Sequence, residues 1–282
     1  MADHSPEQLM RVGDVMATDI VACAPETSIA SIAQAMATRQ VHAVFVVDTA
    51  RRPIGLVSDV DLLTGEWLGT DGAALATMRA SNARDLMSTP PETIGADASL
   101  EAAVEKMRSL RIARLLVCDD GAAVGVVSVS DLVAVLRRPA LGRARVDEVM
   151  SHAIVTCRPE APMHSAVRAM SERRTRSVVV AEADRPVGVL TGGDVLALYA
   201  TSQGASGSGT VAEFMTHPVV TATPDTSLSA AVDRMLTHEI HRLVIVDEHG
   251  RGPLGVLSTT DVVVEMAHEE SVWQAPPPGE AS

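Results

Sequence analysis

A fourfold internal repeat constrains this chain more than any other feature, because a segment recurring in fixed register is one structural unit used several times. Each copy opens on a short stretch ending in Met: VGDVM at Met16, ARDLM at Met87, VDEVM at Met150 and VAEFM at Met215. A second methionine lies twenty residues on (Met36, Met107, Met170, Met235), and an acid twelve residues beyond that (Asp48, Asp119, Glu182, Asp247). Each copy closes on a glycine, two aliphatic residues, a hydroxyl residue and, three positions later, an aspartate. The closing segments are GLVSDVD (55–61), GVVSVSD (125–131), GVLTGGD (188–194) and GVLSTTD (255–261). Only the turn between the acid and this glycine changes length, as a surface hairpin does.

Periodicity assigns the elements. Ile29, Ile32, Ala33 and Met36 in the first copy, and Leu228, Ala231, Val232 and Met235 in the last, follow an i, i+3, i+4, i+7 spacing that predicts an amphipathic helix. The apolar runs Val44–Val47, Leu115–Cys118, Val178–Ala181 and Val244–Val246, each followed by turn residues and the glycine segment, predict strand hairpins. An earlier strand is expected at Ile20–Cys23, Ile154–Cys157 and Val219–Ala222. In the second copy the corresponding stretch, STPPETIG, carries two prolines, which remove ladder donors. A helix is expected after each closing hydroxyl residue, so the fold class is α/β, four β-α-β-β-α repeats.

One such unit has a marginal core, and pairing covers its sheet. The stretch RRPALGRAR (137–145) suggests a boundary near 140. The expected organisation is therefore 1–138, holding repeats at about 10–68 and 80–138, then 139–268, holding repeats at about 144–201 and 209–268. SQGASGSGT (202–210) reads as a Gly/Ser surface crossing, and 269–282 as a disordered tail.

Composition excludes several functions. The chain is 46% hydrophobic yet has five aromatic residues, too few for a base-stacking platform. A formal charge of −13 repels nucleic acid and anionic membrane surfaces, so neither is expected as a partner. Cys23, Cys118 and Cys157 form no CxxC pair, as suits a reducing compartment, and their positions suit core packing. The opening MADHSPEQLM lacks the pattern of a signal peptide, and no run of eighteen apolar residues occurs, so a soluble cytoplasmic protein is expected.

The closing segments carry the chemistry. An aspartate three residues after a hydroxyl at a helix start offers two acceptor oxygens suited to the vicinal hydroxyls of a ribose. The hydroxyl and the free N–H groups of the helix start are donors suited to phosphate. The pairs are Ser58 and Asp61, Ser128 and Asp131, Thr191 and Asp194, Ser258 and Asp261. The same spacing also makes a helix capping box, in which the two side chains satisfy orphan backbone donors. Basic residues ahead of the second strand could neutralise phosphate: Arg39 and His42, Arg111 and Arg114, Arg173 and Arg176, and His238, His241 and Arg242. No carboxylate or cysteine completes a metal site around His238, His241 and His249, so no metal is expected.

In these repeats the pattern resembles cystathionine β-synthase (CBS) domains, four in tandem, over about residues 10 to 268. That resemblance implies two paired discs, called Bateman modules, with adenine nucleotides or S-adenosylmethionine bound in clefts between paired repeats to regulate another protein. The segment IHRLVIVDE (240–248) is similar to the nucleotide-contacting stretch of the four-CBS γ subunits of AMP-activated protein kinases. The likeness implies phosphate contact by His241 and places Ser258 and Asp261 at phosphate and ribose. Thr93, Thr156 and Thr221, six residues after each opening methionine, resemble the family's first-strand hydroxyl contact, where the first repeat has Ala22.

The resulting expectation is a regulatory sensor, not an enzyme, that binds AMP, ADP, ATP or S-adenosylmethionine, needs no cofactor and acts on an unknown regulated protein. Its modules would stack within one chain or in a homodimer. The alternative is an interaction or dimerisation scaffold with vestigial pockets, and a third reading makes the aspartates general bases of a nucleotide hydrolase. No P-loop, GxSxG or HExxH motif accompanies them.

Overall fold

The computed structural model describes residues 10–64, 81–135, 141, 144–173, 175–195 and 209–266. Most of the 137–145 boundary, nearly all of the Gly/Ser crossing and the 269–282 tail therefore lie outside the described residues.

The first repeat runs α1 (Val12–Val15), β1 (Ala22–Cys23), α2 (Ile29–Arg39), β2 (Ala43–Val47), β3 (Pro53–Ser58) and α3 (Asp59–Thr64). The second runs α4 (Ala83–Leu86), β4 (Thr93–Gly95), α5 (Leu100–Leu110), β5 (Arg114–Asp119), β6 (Ala122–Ser128) and α6 (Val129–Val135). The third has α7 (Val146–Val149), β7 (Thr156–Cys157), α8 (Met163–Arg173), β8 (Ser177–Glu182), β9 (Arg185–Thr191) and a helical start at 192–195. The fourth opens on a 3₁₀ turn (Val211–Glu213), followed by β10 (Thr221–Ala222), α9 (Leu228–Thr237), β11 (Arg242–Val246), β12 (Pro253–Ser258) and α10 (Thr259–Met266). Each repeat holds one three-stranded sheet, its first strand parallel to the second and the second antiparallel to the third.

The α/β class and the long helices follow the expected pattern. In α2 the fully buried residues are Ile29, Ile32, Ala33 and Met36, and in α9 they are Leu228, Ala231, Val232 and Met235. Ser28, Ser99 and Ser227 cap α2, α5 and α9 by accepting the amide N–H three residues on at 3.2 Å.

Two expectations change. The expected first strands shrink to two residues, because Ile20–Val21, Ile154–Val155 and Val219–Val220 leave the sheet, although the carbonyls of Val21, Val155 and Val220 still accept from β2, β8 and β11. In the second repeat a strand forms at Thr93–Gly95, just beyond the prolines, where no ladder donor is missing.

The short opening helices were not indicated by periodicity, being a single turn each. Every one of them is lent to the paired repeat. Val12 is buried in the second repeat's core, its N–H bonded to the Ala98 carbonyl at 2.9 Å, and Ala83 returns the exchange in the first, bonded to Thr27 at 2.8 Å. Val146 enters the fourth repeat and Val211 the third in the same way. The two halves are then joined by one core that unites Leu132 and Val133 of α6 with Val262 and Val263 of α10.

Candidate functional site

The open ends of the hairpins, where the first hairpin strand starts and the second ends, and the helix starts that follow them face one another. There they enclose a cavity of about 240 Å³ lined by residues from all four repeats. His42 and Asp59 come from the first repeat, Arg114 and Ser128 from the second, Arg176 and Thr191 from the third, His241, Arg242 and Ser258 from the fourth.

Three guanidinium groups thus face one space. Arg114 donates to the His42 carbonyl at 2.9 Å, whereas the guanidinium groups of Arg176 and Arg242 have no hydrogen bond or ion pair among the described residues. Burial pulls the Arg242 guanidinium down to about 10, the charge of Arg176 adds to this, and Asp59 and Asp261 oppose it. Arg114 is likewise lowered, first by burial and then by Arg176 against the pull of Asp59. Arginine stays cationic at neutral pH, and the half-buried guanidinium groups of Arg176 and Arg242, without a bonded partner, are a standing demand for an anion.

Histidines meet at the same place. The rings of His42 and His241 stand edge to face with centroids 5.7 Å apart, and Ser130 Oγ lies 3.3 Å from His241 Nδ1. Burial, His42, Arg242 and Arg114 together push His241 below its ordinary value. Asp59 is buried at 8% exposure, with Oδ2 3.2 Å from His42 Nδ1. Burial would raise its carboxyl, but the His42 hydrogen bond and the charges of Arg114, His42 and Arg176 hold it below the usual range.

Two larger clefts adjoin this cavity. One, of about 520 Å³, places Ser258 and Asp261 opposite Ile154 and Val155, with Arg176, Arg242, Arg108 and Arg111 along it. The other, of about 620 Å³, holds Thr191 and Asp194 with His42 and His241 and the ends of α2 and α9.

All four hydroxyl–acid pairs close on themselves. Ser58, Ser128, Thr191 and Ser258 each donate through the hydroxyl to the following aspartate's Oδ2 at 2.6, 2.6, 2.7 and 2.6 Å. In each pair the backbone N–H of the same Ser or Thr donates to that oxygen as well, at 2.7 to 2.8 Å. The reciprocal half of a capping box, the aspartate N–H donating to the hydroxyl at 3.3 to 3.4 Å, is present in the first, second and fourth copies, and in the third the Asp194 N–H makes no such bond to Thr191. What distinguishes the copies is the other oxygen: Asp194 Oδ1 accepts from Thr216 Oγ1 at 3.0 Å, whereas Oδ1 of Asp131 and of Asp261 has no hydrogen-bond donor among the described residues. Asp261 combines that open acceptor with a cleft.

A family model described as CBS domain matches residues 12–66, 83–138, 146–201 and 211–268. The chain belongs to the CBS domain family. The CBS domain-containing protein YhcV of Bacillus subtilis is 31% identical over 130 residues, which is 46% of this chain and 91% of that protein. An uncharacterized 33.4 kDa protein in a ribosomal RNA operon of Thermofilum pendens is 25% identical over 275 residues, 89% of this chain and 90% of the relative. Among solved structures, protein MJ1225 of Methanocaldococcus jannaschii, described as a candidate archaeal homologue of g-AMPK, superposes with a TM-score of 0.77 at 19% identity. That superposition covers 90% of this chain and 99% of the other, so the two share a fold over nearly their whole length.

Of the residues singled out in the sequence, the central cavity and its two clefts bring together His42, Arg111, Arg114, Ser128, Arg176, Thr191, Asp194, His241, Arg242, Ser258 and Asp261. Ser58, Asp61 and Asp131 line none of these three spaces. Nor do Thr93, Thr156 and Thr221: the first two side chains are exposed, and the carbonyls of Thr93 and Thr221 accept from Lys106 and Arg234 at 2.8 and 2.9 Å. Their neighbours one and two positions earlier in the second pair of CBS repeats, Ile154–Val155 and Val219–Val220, form the apolar walls instead. Arg39 is turned outward to Asp19 at 3.4 Å, and Arg173 and His238 are exposed. Asp59 and Ser130 were not singled out. Asp59 was legible, since it alone puts an acid directly after the closing hydroxyl residue.

Among the described residues no group of three or more His, Cys, Asp or Glu side chains could hold a metal ion. No helix among them is long and apolar enough to cross a membrane.

Proposed function

We propose that this CBS protein is a regulatory module that binds an adenine nucleotide, AMP, ADP or ATP, with S-adenosylmethionine as a further adenine-bearing ligand. One observation carries the reading: Arg176 and Arg242, without protein partners, face the same cavity as Arg114 and adjoin the cleft of Asp261. An anion held by the arginines leaves the Asp261 carboxylate within the neighbouring cleft for a ribose, and Ile154 and Val155 for an apolar base face. Cations and acid occupy separate ends, the polarity a nucleotide has. The two pairs of repeats are the proposed functional modules, with the division at 138/139, and they act in the cytoplasm on a regulated protein, without catalysis of their own.

Ligand binding alters function only if it favours one of two arrangements. Residues from all four repeats line the cavity, so a ligand there bears on the relation of both halves at once.

A scaffold reading also has an observation in its favour, the four hydroxyl–aspartate pairs closed on themselves, which need no ligand. Thermal unfolding separates the two. A ligand at about 100 times its dissociation constant adds roughly 2.7 kcal/mol. A rise in Tm with millimolar AMP, ADP, ATP or S-adenosylmethionine, lost in Asp261→Ala, is the expected result. No rise with any of them, in protein purified free of bound nucleotide, favours the scaffold.

A further inference from the structure

The first residue after each closing hydroxyl is Asp59, Val129, Gly192 and Thr259 in the four repeats. All four line the central cavity or its adjoining groove, and only the first is acidic. Its carboxylate is not free to turn away. His42 Nδ1 is 3.2 Å from Oδ2, the Val60 amide donates to Oδ1 at 2.9 Å, and the Asp59 amide is tied to the His42 carbonyl at 3.0 Å. The carboxylate is thus a fixed negative charge, 8% exposed, inside the wall that also presents Arg114, Arg176 and Arg242.

Three half-buried guanidinium charges and this one carboxylate leave two net positive charges on the inner wall of this cavity, with Glu239 exposed at the rim and Asp261 in the adjoining cleft. A phosphate monoester brings about two negative charges, and each further phosphate adds about one. The monoester balances the wall, whereas a triphosphate exceeds it. The excess meets Asp59 in a part of the protein where charges are poorly screened.

We propose that Asp59 is a specificity-determining residue that restricts the shared cavity to ligands of low phosphate charge, AMP ahead of ATP. The nucleotide part of this statement rests on the function proposed above. The charge part does not, because inorganic anions probe it without adenine.

Calorimetric titration of the full chain, free of magnesium and at one fixed salt concentration, tests it with AMP, ATP, phosphate and tripolyphosphate. Asp59→Asn keeps the shape of the side chain, and Asp59→Thr copies what the fold carries at Thr259. The expected result is an affinity gain in both variants that grows with ligand charge, so that the ATP to AMP and the tripolyphosphate to phosphate affinity ratios each rise by about tenfold. Equal gains across the series, or no gain, overturn the proposal. A shift in the inorganic ratio alone, with no preference for nucleotides, retains the role of Asp59 while refuting the adenine reading. No binding of any of the four to any variant refutes both.

Discussion

A Cβ built on Gly55 would lie 2.5 Å from Met87 Sδ, in the repeat paired with it. The same contact recurs between Gly125 and Met16, Gly188 and Met215, and, at 3.1 Å, Gly255 and Met150. The opening methionine of each CBS repeat therefore lies on the closing glycine of its partner. At Gly55 the nearest atoms are all of Met87, so Gly55→Ala should cost about 1–2 kcal/mol in chemical denaturation, and Met87→Ala should remove much of that penalty, a coupling of about 1 kcal/mol. At Gly125 the Ala17 carbonyl oxygen would remain at 2.9 Å, so Met16→Ala should not rescue Gly125→Ala.

The lent opening turns make a second, local prediction. Val12 is fully buried, and its turn α1 packs on β6 and α6 of the second repeat. Val12→Ala should cost about 2 kcal/mol. Native-state hydrogen exchange should show the loss of protection in β6 and α6, not in β2 and β3 of the repeat that carries the substitution.

The fold was legible because four copies repeat the same apolar register, and residues such as Met36 and Met235 could be placed on a helix face from either copy. The exchange of opening turns was not, since a single turn has no period and its partner lies 50 to 86 residues away, as Ala161 does from Val211 and Ala98 from Val12. At the site, the closing Ser258–Asp261 pair and the basic residues Arg176 and Arg242 stand in the sequence beside readable motifs. The apolar walls were displaced by a residue or two: Thr156 pairs with Val179 in the sheet and points to solvent, and the chain leaves the ladder just before it, exposing Ile154 and Val155 to the cleft. Which of two adjacent residues faces a cleft depends on where the ladder starts, and a two-residue strand carries no alternation to reveal it.

Acid should destabilise the protein in two separate windows. His241 has a folded value below that of the unfolded chain, by burial first and then by the charges of His42, Arg242 and Arg114. Below about pH 6.5 the unfolded chain gains this proton and the folded chain resists it, so stability present above that pH is lost progressively down to the folded value. Asp59 also has a lowered folded value, so its contribution is complete above about pH 3.9 and disappears as the pH falls through the folded value. Urea midpoints measured from pH 5 to 8 should fall on the acid side, and His241→Gln should flatten that part of the profile. An unchanged slope in the variant would remove His241 from the explanation.

The central arginines should oppose stability while serving binding. Arg242 sits in the cavity wall with Arg176 nearby and no bonded carboxylate among the described residues, and desolvation without a partner is a cost to the folded state. Arg242→Met keeps the unbranched stem and removes the charge. In the absence of anions the variant should gain about 1 kcal/mol, which for a chain of this size raises Tm by roughly 2–4 °C. Phosphate should then stabilise it less than the parent, with an affinity lower by about tenfold or more, since a charge-assisted hydrogen bond is lost. The two effects have opposite signs, so one series of thermal scans across phosphate concentrations reads both, and the curves of parent and variant should cross. A variant less stable than the parent at every concentration would mean that the Arg242 guanidinium already has a counterpart in the folded protein, and that the cavity makes no demand for an anion through this residue.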